Sequence, residues 1–388
     1  MNSRNIRTAQ SSAADVRLAV AEFHSGVAQP DMELVIFFCS SEYDLDLLVA
    51  EMERQFAGIQ VAGCTTAGEI GPGGYLQHSL SGASFSSGCC VAVSGLLEDL
   101  QQFHISAGHD LAQRLLQQLE KKAPQAGADD SFALLLIDGM SIREEPVAHA
   151  LQYALGKIRL FGGSAGDDRK FDHTHVYCNG RFHSNSAVLV LVNTVLPFRM
   201  FMTQHFVSTD ERLVVTDADT DKRIVREING LPAAQEYARL AGVEVHELDS
   251  KRFAASPMVV VVDGADYVRS IQKANPDGSL TFFCAIEEGV VLRMAHGADL
   301  VNNLKQAFGR ITAEIGKPQL VIGCDCTLRN QEIMQDGIKD SVSEVLRRNN
   351  AIGFSSYGEQ FRGIHVNQTF TGIAIGESRE VQSEPRDA

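Results

Sequence analysis

One seven-residue pattern recurs in this chain and constrains its fold more than any other feature. Gly63-Cys64-Thr65-Thr66-Ala67-Gly68-Glu69 returns as Gly353-Phe354-Ser355-Ser356-Tyr357-Gly358-Glu359. A shortened version, Gly162-Gly163-Ser164-Ala165-Gly166-Asp167, lies between them. Each copy follows a short apolar run (Ile59 to Ala62, Ile158 to Phe161, Ala351 to Ile352), as a strand turning into a glycine corner does. Glycine permits positive φ and close backbone approach, while the hydroxyls and amides of such a corner are donors for an anionic or polar ligand. A tight turn without a ligand would give the same local pattern. Three related corners in one chain turn the question to architecture.

About thirty residues before each corner stands a matching apolar run: Leu34 to Cys39, Phe132 to Ile137 and Leu320 to Cys324. Such near-continuous runs suit strands covered on both faces. A helical stripe separates each run from its corner: Leu45, Leu48, Val49, Met52 and Phe56; Val147, Leu151, Ala154 and Leu155; Ile338, Val342, Val345 and Leu346. Gly58, Gly156 and Asn349-Asn350 follow the stripes, where a left-handed residue ends a helix. A further apolar strand is expected after each corner, at Cys89 to Val93, Ala187 to Val192 and Phe370 to Ile375. The unit strand, helix, strand, glycine corner, strand therefore occurs three times, which predicts an α/β fold of mixed sheets built by internal duplication.

At 388 residues two domains are the expectation. The spacing predicts an N-terminal helical region over 1–30, a first domain over 31–222 holding two units, a second over 223–376 holding the third, and a disordered tail over 377–388. The charged segment Asp217 to Arg226 supplies the boundary. Beyond it, Pro232 and Gly242 bracket a helix, Met258 to Val262 and Leu280 to Ala285 read as strands, and Leu300 to Ile315 carries a regular apolar stripe. No run of eighteen apolar residues marks a membrane span, residues 1–12 lack a signal-peptide core, and eight cysteines without regular spacing suggest free thiols. A cytoplasmic protein is expected. The formal charge of −15 argues against nucleic acid and anionic membranes as partners.

Hydrolase elbow, Walker loop, HExxH and CxxC patterns are absent, which weighs against an enzyme. Cys64 lies inside a corner whose amides could activate it as a nucleophile, although a small buried thiol is the commoner role. Cys324 and Cys326 would place both sulfurs on one strand face, where they could share a zinc or a redox partner, or simply pack. Among twelve histidines, His205 in Phe201-Met202-Thr203-Gln204-His205-Phe206-Val207 and His183 after Phe182 have apolar, aromatic neighbours suited to a metal-bound imidazole.

The corners also resemble a known family. Gly63 to Ile70 is similar to the signature of FIST domain proteins, and Gly353 to Glu359 followed by His365-Val366-Asn367-Gln368-Thr369 is similar to their C-terminal signature. Val215-Thr216 with Glu227 to Ala233 resembles the join between the two halves, and Cys326 to Arg329 the family's Cys-x-x-Arg element. The resemblance runs over roughly residues 30–376 and implies a ligand-binding sensory module rather than an enzyme. A chain with both halves and no fused output domain looks like the nitric-oxide-sensing branch. That branch implies haem b held by a histidine, with His205 and then His183 as candidates, and a histidine kinase as partner with consequences for biofilm behaviour. Self-association is compatible with it. Two alternatives stay open: a haem-free sensor of an amino acid or similar metabolite, held by Thr65, Thr66, Ser355 and Ser356, and an enzyme using Cys64.

Overall fold

The computed structural model describes residues 5–262 and 264–377; most of the tail expected over 377–388 lies outside them. Each apolar run is a strand, and the three units build three six-stranded sheets of identical order. In unit one, Met32–Ser40 pairs in parallel with Gln60–Thr66 across the helix Leu45–Gln55. In unit two, Ser131–Ile137 and Arg159–Ser164 flank Glu144–Leu155. In unit three, Leu320–Cys326 and Ala351–Ser356 flank Thr327–Gln335 and Lys339–Arg348.

A return strand lies antiparallel beside the first strand of each unit: Leu80–Ser86, Ala187–Thr194 and Phe370–Ile375. For unit one this corrects the expectation of Cys89 to Val93. Leu80–Ser86 is rich in serine and glycine and carries little hydrophobic signal. Its small residues are required by close approach: a Cβ on Gly82 would stand 2.2 Å from the Ile36 carbonyl oxygen and 2.9 Å from the Phe23 ring. The apolar strand Cys90–Leu97 instead begins unit two, on the outer side of Ala187–Thr194.

The repeat is thus longer than its sequence signature. Every unit starts with an outer strand against its return strand, namely Ile6–Ser11, Cys90–Leu97 and Phe198–Thr203. A helix precedes the first strand of each: Val16–Val27, Ile105–Lys122 and Leu300–Ile315. Asp15 and Asp299 cap two of these by accepting from Leu18 and Asn302 amides at 2.9 Å. The region expected as a separate N-terminal piece, 1–30, therefore supplies the opening strand and helix of unit one.

The hairpin after each corner leaves its own unit. Glu69–Gly71 with Gly74–Leu76 extends the sheet of unit three, Val176–Cys178 with Arg181–His183 that of unit one, and Glu359–Phe361 with Ile364–Val366 that of unit two. The exchange is cyclic and closed, so the three sheets form one body around a shared core. Phe38, Cys64, Leu136, Phe161, Cys324 and Phe354 belong to that core, with Phe38 and Phe354 stacked at 4.7 Å. The outer face of each sheet is covered by its own helices.

Between the outer strand and the helix of unit three the chain makes an excursion over 206–297. Its strands form a fourth sheet with a core of its own around Leu213, Val225, Tyr237, Phe253 and Leu292. The boundary drawn near residue 222 falls inside this sheet, because Phe206–Asp219 pairs with Ile224–Ile228. Charge at Asp217 to Arg226 marks a hairpin corner of the excursion, where Arg226 pairs with Asp217 and Asp219.

Candidate functional site

The cyclic exchange brings the three corners together, and their backbones hydrogen-bond one another. Ala67 N donates to Ser355 O at 2.9 Å and Ser355 N to Gly68 O at 2.7 Å. Ser164 N donates to Gly358 O at 2.8 Å and Tyr357 N to Ser164 O at 3.1 Å; Gly166 N and Asp168 N donate to Thr65 O and Thr66 O, both at 3.0 Å. The donors that the sequence offered to a ligand are thereby largely taken.

The acid closing each full-length corner is buried in a cradle built from its own unit. Glu69 accepts from the Thr66 hydroxyl and from the hydroxyl and amide of Ser79, at 2.6 and 3.1 Å for the last two. Glu359 accepts in the same way from Ser356 and from the hydroxyl (2.6 Å) and amide (3.3 Å) of Thr369. Burial pushes Glu69 up to about 7 and Glu359 up to about 8, against hydroxyl hydrogen bonds that pull the other way. In corner two Asp167 stands alone in its role: it accepts from the amides of Phe171, Asp172 and His173 and from the Tyr357 hydroxyl. The ring of Phe171 stacks on Tyr357 at 4.5 Å.

A cavity of about 510 Å³ opens beside corner three, at the seam between the three-sheet body and the excursion. Its walls come from the start of the unit-two helix (Arg143, Glu145), the Thr220–Arg223 corner, the Cys284–Ala285 turn, Arg269, and His365 of the exchanged hairpin. Arg223 spans the seam. Its Nη2 donates to Glu144 and Glu145, each at 2.7 Å, and its Nη1 to the Phe283 carbonyl at 2.9 Å. Glu145 accepts from the Ala285 amide at 2.7 Å through its other oxygen. Burial alone would raise Glu145; His365, Arg223 and the Ala285 amide outweigh that and hold it below its ordinary value. Arg223 is the neighbour that matters near neutrality, because burial lowers His365 and keeps its imidazole neutral, against the pull of Glu145 and Glu144.

His365 is 2% exposed and held by corner chemistry. Gln360 Nε2 donates to its Nδ1 at 3.2 Å and to the Ser164 hydroxyl of corner two at 2.9 Å. That places the imidazole proton on Nε2, which has no hydrogen-bond partner, as is true of Arg223 Nε. Gly358 makes room for the ring: with φ at +134°, a Cβ there would stand 2.3 Å from His365 Cε1. Gly358 and Gln360 thus position a histidine rather than a ligand.

The other predicted residues lie elsewhere. His205 is buried with both nitrogens occupied: Arg329 Nη1 donates to Nδ1 at 3.3 Å, and Nε2 donates to Glu332 at 2.7 Å. His183 donates through Nε2 to the Cys178 carbonyl at 3.2 Å, with Glu98 at 4.0 Å from Nδ1. As placed, His205 offers no lone pair to a haem iron, whereas His183 keeps one on Nδ1, beside the Glu98 carboxylate, and fits that group only through this nitrogen. Cys64 is fully buried in the shared core and burial raises its thiol well above the usual range, the reverse of an activated nucleophile. Burial also raises Cys324 and Cys326. Among the described residues no third His, Cys, Asp or Glu joins them in a metal-holding group, so they do not fit a zinc.

Sequence reasoning passed over Arg223, Glu144, Glu145, Arg269 and Gln360. His365 was visible only as part of the C-terminal signature.

Residues 33–231 match the FIST N domain and residues 233–362 the FIST C domain. The chain belongs to the FIST family of sensory domains. It is 23% identical over 349 residues to an uncharacterized protein of Methanocaldococcus jannaschii, covering 80% of this chain and 67% of that relative. Cyanuric acid hydrolase from A. caulinodans aligns over 96% of this chain and 99% of its own, with 8% identity and a TM-score of 0.37. A second cyanuric acid hydrolase structure aligns over the same shares with 10% identity and a TM-score of 0.38. Likeness at that level bears on neither activity nor ligand.

Proposed function

We propose that this FIST protein is a sensor whose small-molecule signal enters the seam cavity, and that occupancy is passed to a separate protein through the contact between the body and the excursion. The observation that carries the reading is a pair of unpartnered, deeply buried polar atoms, His365 Nε2 and Arg223 Nε, on two side chains that line one cavity. Buried polar groups without partners cost free energy, and a ligand that supplies acceptors recovers it. Arg223 belongs to the excursion and its carboxylate partners to the body, so a guest touching Arg223 acts on both parts at once. The reading is close to a haem-free metabolite sensor, with the guest moved from the hydroxyls of the corners to the seam beside them.

The test is a thermal-shift screen of amino-acid-sized metabolites against the wild-type chain and against Ala285→Phe, which fills the cavity. A compound that stabilises the former and not the latter supports the reading. If every stabilising compound acts equally on both, the cavity is not the sensing site.

Haem-dependent sensing of nitric oxide, relayed to a histidine kinase, is a second and narrower proposal resting on the resemblance alone. It requires His205 to release Glu332 or Arg329, or His183 to serve through Nδ1 beside Glu98. A Soret band in haem-reconstituted protein that is lost in His205→Ala or His183→Ala would favour it.

A further inference from the structure

The seam cavity offers donors at its floor and hydrocarbon along its walls, and that division specifies a class of guest. On the donor side, Arg269 uses one nitrogen, Nη1, for the carbonyls of Val268 (3.2 Å) and His365 (3.3 Å). Neither Arg269 nor Arg143 has a carboxylate partner among the described residues. Arg223 adds its free Nε and His365 its free Nε2 proton. The unit-two helix also begins at this wall with Arg143 in the cap position and no side-chain capping bond, so the amides of Glu144 and Glu145 lack a side-chain acceptor. Glu145 does not offer itself to a cation, since both its oxygens are occupied by Arg223 and the Ala285 amide. Glu144 is bound to Arg223. Three guanidiniums therefore face two carboxylates already paired. Asp221 and Glu287 stand exposed at the rim, where solvent screens them.

Apart from Thr220 and the exposed His149, the rest of the lining is mainly apolar: Ile105, Ile142, Pro146 and Ile364. Ile105 and Ile142 are 59% and 49% exposed, hydrocarbon on the open side of the cavity with nothing packed over it. A free zwitterion would place its ammonium against that surface or against unpaired guanidinium. A guest with an oxyanion head and an apolar body satisfies both sides.

We infer that the seam cavity binds a small organic oxyanion, a carboxylate or phosphate head on an apolar body, with the head held by Arg269, Arg143, Arg223 Nε and His365 Nε2 and the body against Ile105, Ile142 and Ile364. This rests on the sensing role proposed for the same cavity. Guanidinium and imidazole donors recognise carboxylate and phosphate alike, so the source of the head is a matter for the test.

The full chain is titrated by calorimetry with benzoate, hexanoate, phenyl phosphate, hexanamide and phenylalanine. Benzoate and hexanoate arms report a carboxylate head, phenyl phosphate a phosphate one. At least one of these three is expected to bind, at least tenfold more tightly than hexanamide and phenylalanine. Arg269→Gln and, separately, Arg143→Gln are each expected to weaken it about tenfold while leaving the melting temperature of the free protein in place. Having the half-exposed Arg143 as a second variant keeps the test decisive if the first disturbs folding. Binding of hexanamide or phenylalanine as tightly as the anions, anion affinity unchanged in both variants, or no binding of any anion overturns the inference. The first of these outcomes, if abolished by Ala285→Phe, leaves the cavity as the sensing site and removes only the oxyanion; binding unaffected by Ala285→Phe removes both.

Discussion

The glycine corners and the seam cavity are built from similar groups, buried acids, hydroxyls, a glycine and a few donors, yet they do opposite things. At the corners every carboxylate meets its hydroxyls and amides inside the protein: Glu69 with Thr66 and Ser79, Glu359 with Ser356 and Thr369, Asp167 with three amides and Tyr357. At the seam, two buried side chains keep an unpartnered nitrogen each. Residue type does not separate a structural polar cluster from a binding one. What separates them is an unpartnered atom on a side chain that lines a cavity: Arg223 and His365 line one, whereas Ser355, whose Oγ is the unpartnered hydroxyl of the corners, is fully buried and lines no part of it.

The largest effect expected from breaking the seam is Arg223→Ala. It leaves Glu144 and Glu145 without their cation, the former almost wholly buried, and a loss of about 3–5 kcal/mol in denaturant unfolding is expected. A loss below about 1 kcal/mol would mean the seam ion pairs are not holding the excursion to the body. Gly358→Ala attacks the corner residue that makes room for the cavity-lining His365. With positive φ and a Cβ 2.3 Å from His365, it is expected to cost about 2–3 kcal/mol and to weaken ligand binding, whereas an alanine that does neither would place His365 outside the site.

The corners should answer to pH instead. Glu69 and Glu359 have folded values raised above their ordinary 4.5, to about 7 and about 8. The folded chain therefore holds protons that the unfolded chain has released, and the stability from these two groups is full below pH 4.5 and is lost as pH rises through 7 and 8. Each carboxylate contributes a slope of up to about 1.4 kcal/mol per pH unit in that window. Glu359→Gln is expected to flatten it, and an unchanged slope would show that Glu359 is ionised throughout. The smallest effect belongs to His183→Ala, at an edge hairpin with one hydrogen bond to a carbonyl: about 0.5 kcal/mol or less. A large loss there would assign His183 a role that its surroundings do not show.

Much of the body was legible from hydrophobic pattern. The first strands of all three units, the stripes of Leu45–Gln55 and Leu300–Ile315, and the Pro232 to Gly242 bracket around Ala233–Ala241 lie where periodicity and capping put them. Leu80–Ser86 was illegible because a strand squeezed between two others needs small residues, and serine and glycine carry no hydrophobic signal. The outer strands escaped because their partners lie in the return strands, far along the chain, a relation that local periodicity does not encode. The same holds for the exchanged hairpins, each of which completes the sheet of another unit. At the site the failure was of another kind. Thr66 and Ser356 look like free donors until Glu69 and Glu359 are seen to take their hydroxyls, and Thr65 until the His175 backbone meets it, while Ser355 Oγ stays unpartnered; Arg223 looks like one of many charges in a polar segment until its side chain is seen between two glutamates.

The claim on which the rest depends is that a guest sits at the seam and the corners only position His365. Hydrogen–deuterium exchange of the full chain, with and without whichever of benzoate, hexanoate or phenyl phosphate binds most tightly, tests it directly. Protection is expected at residues 143–147, 220–223, 284–287 and 363–366, with corner residues 63–69 unchanged. Protection confined to 63–69, 162–167 and 353–359 would return the guest to the corners and contradict the seam site.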